Sequence, residues 1–438
     1  MAQHTNQTLE ISDNILKSYK PLRTASDLDP LLERIGDARF VLLGEASHGT
    51  HEYYTWRTAI SKRLIEEKGF SLIAVEGDWP DCYKINRWVK SYEDAGEKIP
   101  EVLRSFKRWP TWMWANWEVA ALAEWLRNHN EHLAPDKKVG FYGLDVYSLW
   151  ESMDLVINYL DREDPEVAKL ARRAVNCFEP YDEEERAYIR ALDKSPEGCR
   201  EEVLRLLREV REKAPAYDGD REAGLNAEVN ALVMANAEKY YRSMVTFADD
   251  SWNVRDQHMV ETLNTLMKFH GDDAKVIIWE HNTHIGDARA TDMASQGLFN
   301  VGQLVRERHK KEDVVLVGFG SYQGEVMAGS AWGAPMQKMP LPEARFNSVE
   351  EILHRDAPED KLLIFDQGRE ISDFFDQWLR HRAIGVVYHP DRERGNYVPT
   401  RLSARYDAFL FIDQTKALHP VYNQPESGIV PDTYPFGL

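Results

Sequence analysis

Four short apolar runs in this chain each stop at an acid or an imidazole, and that repeated pattern restricts the fold more than any other feature. Phe40-Val-Leu-Leu-Gly44 leads into Glu45, Ser71 to Val75 into Glu76-Gly77-Asp78, Val139 to Leu144 into Asp145, and Lys275 to Trp279 into Glu280-His281. Runs this apolar and this short read as strands covered on both faces, as in parallel sheets. Parallel strands end on one edge, and ligands collect outside those carboxyl ends. Later runs at Val314 to Phe319, Leu362 to Phe365, Ala383 to Tyr388 and Ala408 to Ile412 extend the same sheet. The expectation is an α/β chain with a mostly parallel central sheet flanked by helices.

Between Leu149 and Leu266 the pattern changes to long, charge-rich stretches with leucines at helical spacing, such as Glu201-Glu-Val-Leu-Arg-Leu-Leu-Arg-Glu-Val-Arg. We read residues 149–266 as a large helical insertion forming a lobe over the strand C-terminal ends. It divides the α/β core into a first part, 1–148, and a second part, 267–438. The charge runs are solvated helix faces.

Composition narrows the partners. With 54 basic against 73 acidic residues the net charge is -19, which repels a phosphate backbone, so neither nucleic acid nor an anionic membrane is an expected partner. No run approaches the ~18 apolar residues of a membrane span, and Met1-Ala-Gln-His-Thr-Asn-Gln lacks the basic and apolar regions of an export signal, so a cytoplasmic protein is expected. Cys82, Cys177 and Cys199 have no CxxC spacing and are expected to be isolated reduced thiols rather than a disulfide framework or a zinc site. The oligomeric state is not legible.

The strand ends bring Glu45, Glu76, Asp145, Glu280, His48, His281 and His284 toward one crevice. Within Glu45-Ala-Ser-His48-Gly-Thr-His51-Glu52, His48 is the natural general base, because imidazole titrates near neutrality and a carboxylate neighbour sets its tautomer. The same side chains could instead hold a divalent metal, with His48, His51, His281 or His284 beside Glu45 or Glu76. Arg57, further along the same expected helix, could reach back to the carboxylates or stabilise an oxyanion. Five tryptophans fall within the seventeen positions from Trp109 to Trp125, and Trp109, Trp112 and Trp114 are candidates for an apolar cleft wall. There is no Gly-x-Ser-x-Gly elbow, Walker loop or dinucleotide glycine fingerprint, which favours hydrolysis by an activated water over covalent catalysis.

Five separated motifs, Gly44-Glu-Ala-Ser-His-Gly-Thr-His-Glu52, Val75-Glu-Gly-Asp78, Asn253-Val-Arg-Asp-Gln-His-Met259, Ile278-Trp-Glu-His-Asn-Thr-His284 and Arg405-Tyr-Asp-Ala-Phe-Leu-Phe411, resemble the erythromycin esterase family in order and spacing, over about residues 30 to 425. The resemblance implies hydrolysis of a macrolactone ester by water, without an obligatory metal or other cofactor, in a cleft between an α/β core and a helical lobe. It implies that His48 is the general base, with Glu45 and Glu76 in the acid positions. Arg57, His281 and His284 are the other polar site residues it implies, and Asn253, Arg255 and Asp256 brace the site from the helical side. Arg255 and Asn253 join the tryptophans as substrate-binding candidates. A small-molecule ester or lactone is the expected partner. The competing readings are a metal-dependent hydrolase and a non-catalytic ligand-binding protein.

Overall fold

The computed structural model describes residues 9, 11–181, 185–213, 221–246, 250–366 and 369–421, so the stretch Met1 to Gln7 lies outside the described residues. Eleven strands are present among them: β1 Lys20–Pro21, β2 Phe40–Leu43, β3 Leu72–Asp78, β4 Gly140–Asp145, β5 Val276–Trp279, β6 Val314–Gly329, β7 Met336–Leu341, β8 Lys361–Ile364, β9 Leu379–Arg382, β10 Tyr397–Thr400 and β11 Ala408–Thr415. The main sheet runs β1-β8-β11-β6-β2-β5-β3-β4, with β7 paired to β6. From β4 to β11 every neighbour is parallel, and β8, β1 and β7 join antiparallel.

The apolar runs are buried on both faces because alternate side chains enter different cores. Val41, Leu43, Ile73, Val75, Ile277 and Trp279 belong to one apolar cluster, shared with the helices His51–Lys68 and Trp117–Glu131. Phe40, Leu42, Leu72, Ala74, Val276 and Ile278 belong to the other, shared with the helix Ser251–His270. A period of two with apolar residues at every position therefore leaves neither face to solvent. Leu43 and Val75 both stand level with Trp279 of β5, so the polar residues that follow emerge side by side.

The helices Leu149–Glu163, Pro165–Phe178, Arg200–Lys213 and Arg221–Thr246 pack around an apolar cluster of their own. They are tied to the sheet layer by polar contacts: Trp79 Nε1 donates to Asn226 Oδ1 at 2.8 Å, and Glu222 takes hydrogen bonds from Asn86 and Lys90. No helix among the described residues is long and apolar enough to cross a membrane.

Two sequence expectations change. Cys177 and Cys199 form a disulfide with their Cα atoms 5.8 Å apart, while Cys82 is free and buried. Cys177 lies in the helix Pro165–Phe178 and Cys199 immediately precedes the helix Arg200–Lys213, so the pairing rests on how these helices pack across 22 residues, which spacing rules do not capture. The run Ala383 to Tyr388 is not a sheet strand: it makes single bridges from Ile384 to Ser47 and from Val387 to Gly329, Ile384 and Tyr388 fill a small cluster with Val326 and Leu341, and Val386 joins the larger core.

Candidate active site

β2 ends against the start of the short helix Asn282–Ile285, and the approach is close enough to require Gly44, since a Cβ there would lie 2.0 Å from Asn282 Oδ1. The chain then turns through Glu45 to His48 before entering the helix at His51. Glu45 is 1% exposed, and its two oxygens are divided between two partners: Oε1 meets His48 Nδ1 at 2.9 Å and Oε2 accepts from Arg57 Nη2 at 2.7 Å. Arg57 is wholly buried, its guanidinium 4.3 Å from the Tyr54 ring centre and 4.7 Å from that of Trp279. A carboxylate on Nδ1 selects the tautomer that leaves Nε2 as the basic nitrogen. Burial lowers the proton affinity of His48, but the Glu76 charge and the Glu45 hydrogen bond outweigh it and hold the imidazole above its ordinary value.

β3 shifts register between Val75 and Asp78, which places Glu76 and Gly77 at an irregularity of the kind that re-aims side chains near sites. Trp114 Nε1 donates to the Glu76 carbonyl at 3.0 Å, so close that a Cβ on Gly77 would come within 2.7 Å of that nitrogen. Glu76 Oε1 accepts from Arg255 Nη2 at 2.8 Å and Oε2 from the His281 backbone N–H at 2.8 Å. Burial alone would raise this carboxyl. His284, Arg255 and His48 outweigh burial and hold it well below the usual carboxylate range. Arg255 also grips Asp145 through Nε at 2.9 Å and Nη2 at 2.7 Å, a fork that matches carboxylate geometry.

His284 rests its Nδ1 on Asp256, 3.0 Å from each oxygen, and its Nε2 lies 3.0 Å from Arg255 Nη1. The same ring holds Nε2 3.4 Å from Glu76 Oε1. Trp252 stacks on it with centroids 4.5 Å apart. His281 caps the helix Asn282–Ile285: its Nδ1 accepts from the Thr283 N–H at 3.3 Å and contacts Thr283 Oγ1 at 2.8 Å. Its Nε2 is buried with no hydrogen-bond partner among the described residues, and the ring lies 4.9 Å from that of His48. Burial and the neighbouring His48 push His281 well below its ordinary value, so it is a neutral imidazole with its proton on Nε2.

These groups surround a cleft of about 960 Å³, its open mouth included, walled by Trp109, Trp114, Phe106 and Trp332 on the apolar side and by Asp78, Arg108 and Tyr147 toward the helices. Trp109 meets Trp332 edge to face at 4.3 Å. Asp78, paired with Arg108 at 2.8 Å, is pushed up to about 8 chiefly by burial.

Of the residues picked out in the sequence, His48, Glu76, His281, His284, Arg255, Trp109 and Trp114 line this cleft. Glu45 and Arg57 sit behind His48 and hold it. Trp112 packs into the core, and Asn253 pins the adjacent loop through Gly297 O and Phe299 N. Glu280, expected in the crevice, is fully buried outside the cleft lining with neither carboxyl oxygen hydrogen-bonded among the described residues; burial, then Glu76 and Asp256, raise it well above the usual range, so it is a neutral acid. Sequence reasoning overlooked Arg108, Tyr147, Trp252 and Trp332, which reach the cleft from distant segments. Cys82 is no nucleophile, since burial holds its thiol well above the ordinary value.

A sequence profile described as erythromycin esterase matches residues 65–415. The chain is 23% identical to erythromycin esterase type II of Escherichia coli, over 90% of this chain and 94% of the relative. Among solved structures, a Bacillus cereus protein superposes with a TM-score of 0.77 at 20% identity, covering 93% of this chain and 97% of that one. An erythromycin esterase mutant crystallised in its open conformation superposes with a TM-score of 0.68 at 16% identity, covering 92% and 99%.

Proposed function

The chain belongs to the erythromycin esterase family, which makes it a hydrolase of the esterase type at family level, and on that premise we propose that it cleaves a bulky carboxylic ester or macrolactone with water activated by His48. The carrying observation is the buried line Arg57–Glu45–His48, which orients one imidazole and leaves its Nε2 for the cleft. In this reading a water beside Nε2 gives up a proton to His48 as its oxygen attacks the ester carbonyl. Glu45 and the Glu76 anion stabilise the imidazolium, and the His281 Nε2–H donates to the oxyanion. Collapse returns the proton from His48 to the leaving alkoxide and releases acid and alcohol. Arg255 and His284 act as positioning groups that keep Glu76 in place, and the tryptophans receive the apolar body of the substrate. The aromatic wall of the cleft suits a bulky, largely apolar ligand, with a macrolide the first candidate.

A metal in this cleft is the poorer fit, because the place between Glu76, Asp145 and His284 where a cation belongs is taken by the Arg255 guanidinium. The test is turnover of a panel of macrolides and aryl esters by the purified protein, with and without chelator, beside His48→Ala. Turnover that survives chelation and falls on the order of 100- to 10,000-fold in the variant supports the proposal. Unchanged activity in folded His48→Ala, or ligands bound but recovered intact across the panel, overturns it.

A further inference from the structure

The second histidine of the opening motif has its own polar cluster, away from the cleft lining. His51 is the first residue of the helix His51–Lys68, Glu118 lies in the first turn of the helix Trp117–Glu131, and His419 belongs to the segment that follows β11. Both imidazoles rest Nδ1 on the same oxygen, Glu118 Oε1, at 2.6 Å for His51 and 2.7 Å for His419. The rings approach nearly at right angles, with an interplanar angle of 85° and centroids 5.1 Å apart. All three donor atoms lie within 4.8 Å of one another.

We propose that His51, Glu118 and His419 form a binding site for a zinc-class divalent cation, which fastens the segment after β11 to the two helix starts. Two imidazole nitrogens and one carboxylate oxygen suit a borderline-soft first-row ion, and a water completes the fourth position on the exposed His419 side. At zinc bond lengths the ligand atoms of a tetrahedron stand roughly 3.3 Å apart, so the observed contacts of 2.6 and 2.7 Å open by about 0.6 to 0.7 Å as the ion replaces the shared protons. The scaffold is already built by backbone pairing. His51 N donates to Lys416 O, Leu418 N to Gly49 O, Trp117 N to His419 O and Val421 N to Ala115 O, all between 2.9 and 3.0 Å.

The charge environment separates this carboxylate from those in the cleft. Glu45 and Glu76 each have a guanidinium within hydrogen-bond distance, whereas the side chains that meet the Glu118 carboxylate among the described residues are the two imidazoles. Glu52, which faces His51, adds a negative charge, and Lys416 opposes it. A cation here touches no cleft atom, but it clamps the turn that carries His48 and the helix that follows the Met113-Trp114 wall. Its consequence is stability of the site's frame rather than chemistry.

Cobalt(II) is the direct probe, titrated into the chelator-treated full chain while visible d–d absorption is followed, with zinc(II) as competitor and the melting temperature as a second readout. One saturating equivalent with a four-coordinate spectrum, displaced by zinc, and a zinc-dependent rise in Tm are expected. His419→Ala, at a mostly exposed position that the fold tolerates, should weaken binding by on the order of 100-fold or more, since even outer-sphere partners of metal sites contribute 10- to 100-fold. His419→Cys should restore cobalt binding and add a thiolate charge-transfer band. Absence of a saturable spectrum overturns the proposal, as does a spectrum retained in His419→Ala and lost in His284→Ala.

Discussion

His48 and His51 stand three residues apart in one motif, and each rests Nδ1 on a carboxylate, yet the two pairs are built for different ends. Behind His48 the carboxylate is shared with a fully buried arginine, so the hydrogen bond points a single imidazole and leaves a basic nitrogen in the cleft. Beside His51 the carboxylate oxygen is shared with a second, largely exposed imidazole, and three donors converge on one point. The lesson is that a His–carboxylate pair becomes an oriented base or a ligand set according to what holds the carboxylate's remaining capacity: a fixed guanidinium in the first case, another metal-competent group in the second.

The contrast can be broken most severely by removing the base. His48→Ala should reduce kcat/KM on a turned-over ester by about 100- to 10,000-fold. An equal loss in His51→Ala would erase the distinction. Arg57→Met should be the next largest effect, lowering stability by about 3–5 kcal/mol in urea unfolding, because it strands the Glu45 carboxylate in the core. No such loss is expected where no guanidinium is involved, and a small Arg57 effect would mean that Glu45 does not depend on it.

Glu280 supplies a third case, a carboxyl with no hydrogen-bond partner among the described residues. Its folded proton affinity is raised, so its contribution to stability is complete below the ordinary carboxylate value of about 4.3 and is lost as pH rises through the folded value, with a slope of about 1.4 kcal/mol per pH unit. Glu280→Gln should remove that slope in melts run from pH 5 upward. A wild-type profile already flat there would mean that the acid has found a charge partner. The pH dependence of activity sharpens the first pair. With His48 raised, the acid limb of kcat/KM should lie above about 6.5, and Glu45→Gln should move it downward by removing the hydrogen-bonded carboxylate. Smallest of all, His419→Ala should leave kcat of the metal-free enzyme within about twofold, as replacements at exposed positions usually do.

The cleft floor was readable because parallel strands buried on both faces must be apolar throughout, so the polar residue that ends each one stands out. Glu45, His48, Glu76 and His281 could be proposed as neighbours from that alone. The walls were not readable. Trp112 and Trp114 look alike in sequence and both pack into the core, yet only Trp114, whose Nε1 donates to the Glu76 carbonyl, also lines the cleft. Arg108 and Trp332 are separated by more than two hundred residues, and no local pattern links them. The Cys177–Cys199 bond was missed for the same reason, since it reports a juxtaposition of two helices rather than a spacing.

By itself the sequence determined the parallel sheet, the edge on which its chemistry gathers and the family to which the chain belongs, because burial on both faces and strand direction are written in the order of apolar and polar residues. Tertiary structure alone decided which acids carry charge. Glu76 lies near the end of β3 and Glu280 just past the adjacent β5, and both are buried, but Arg255 arrives from a distant helix to meet one and not the other. Charge in a low-dielectric interior survives only beside a partner, and a partner that comes from elsewhere in the chain is a property of packing.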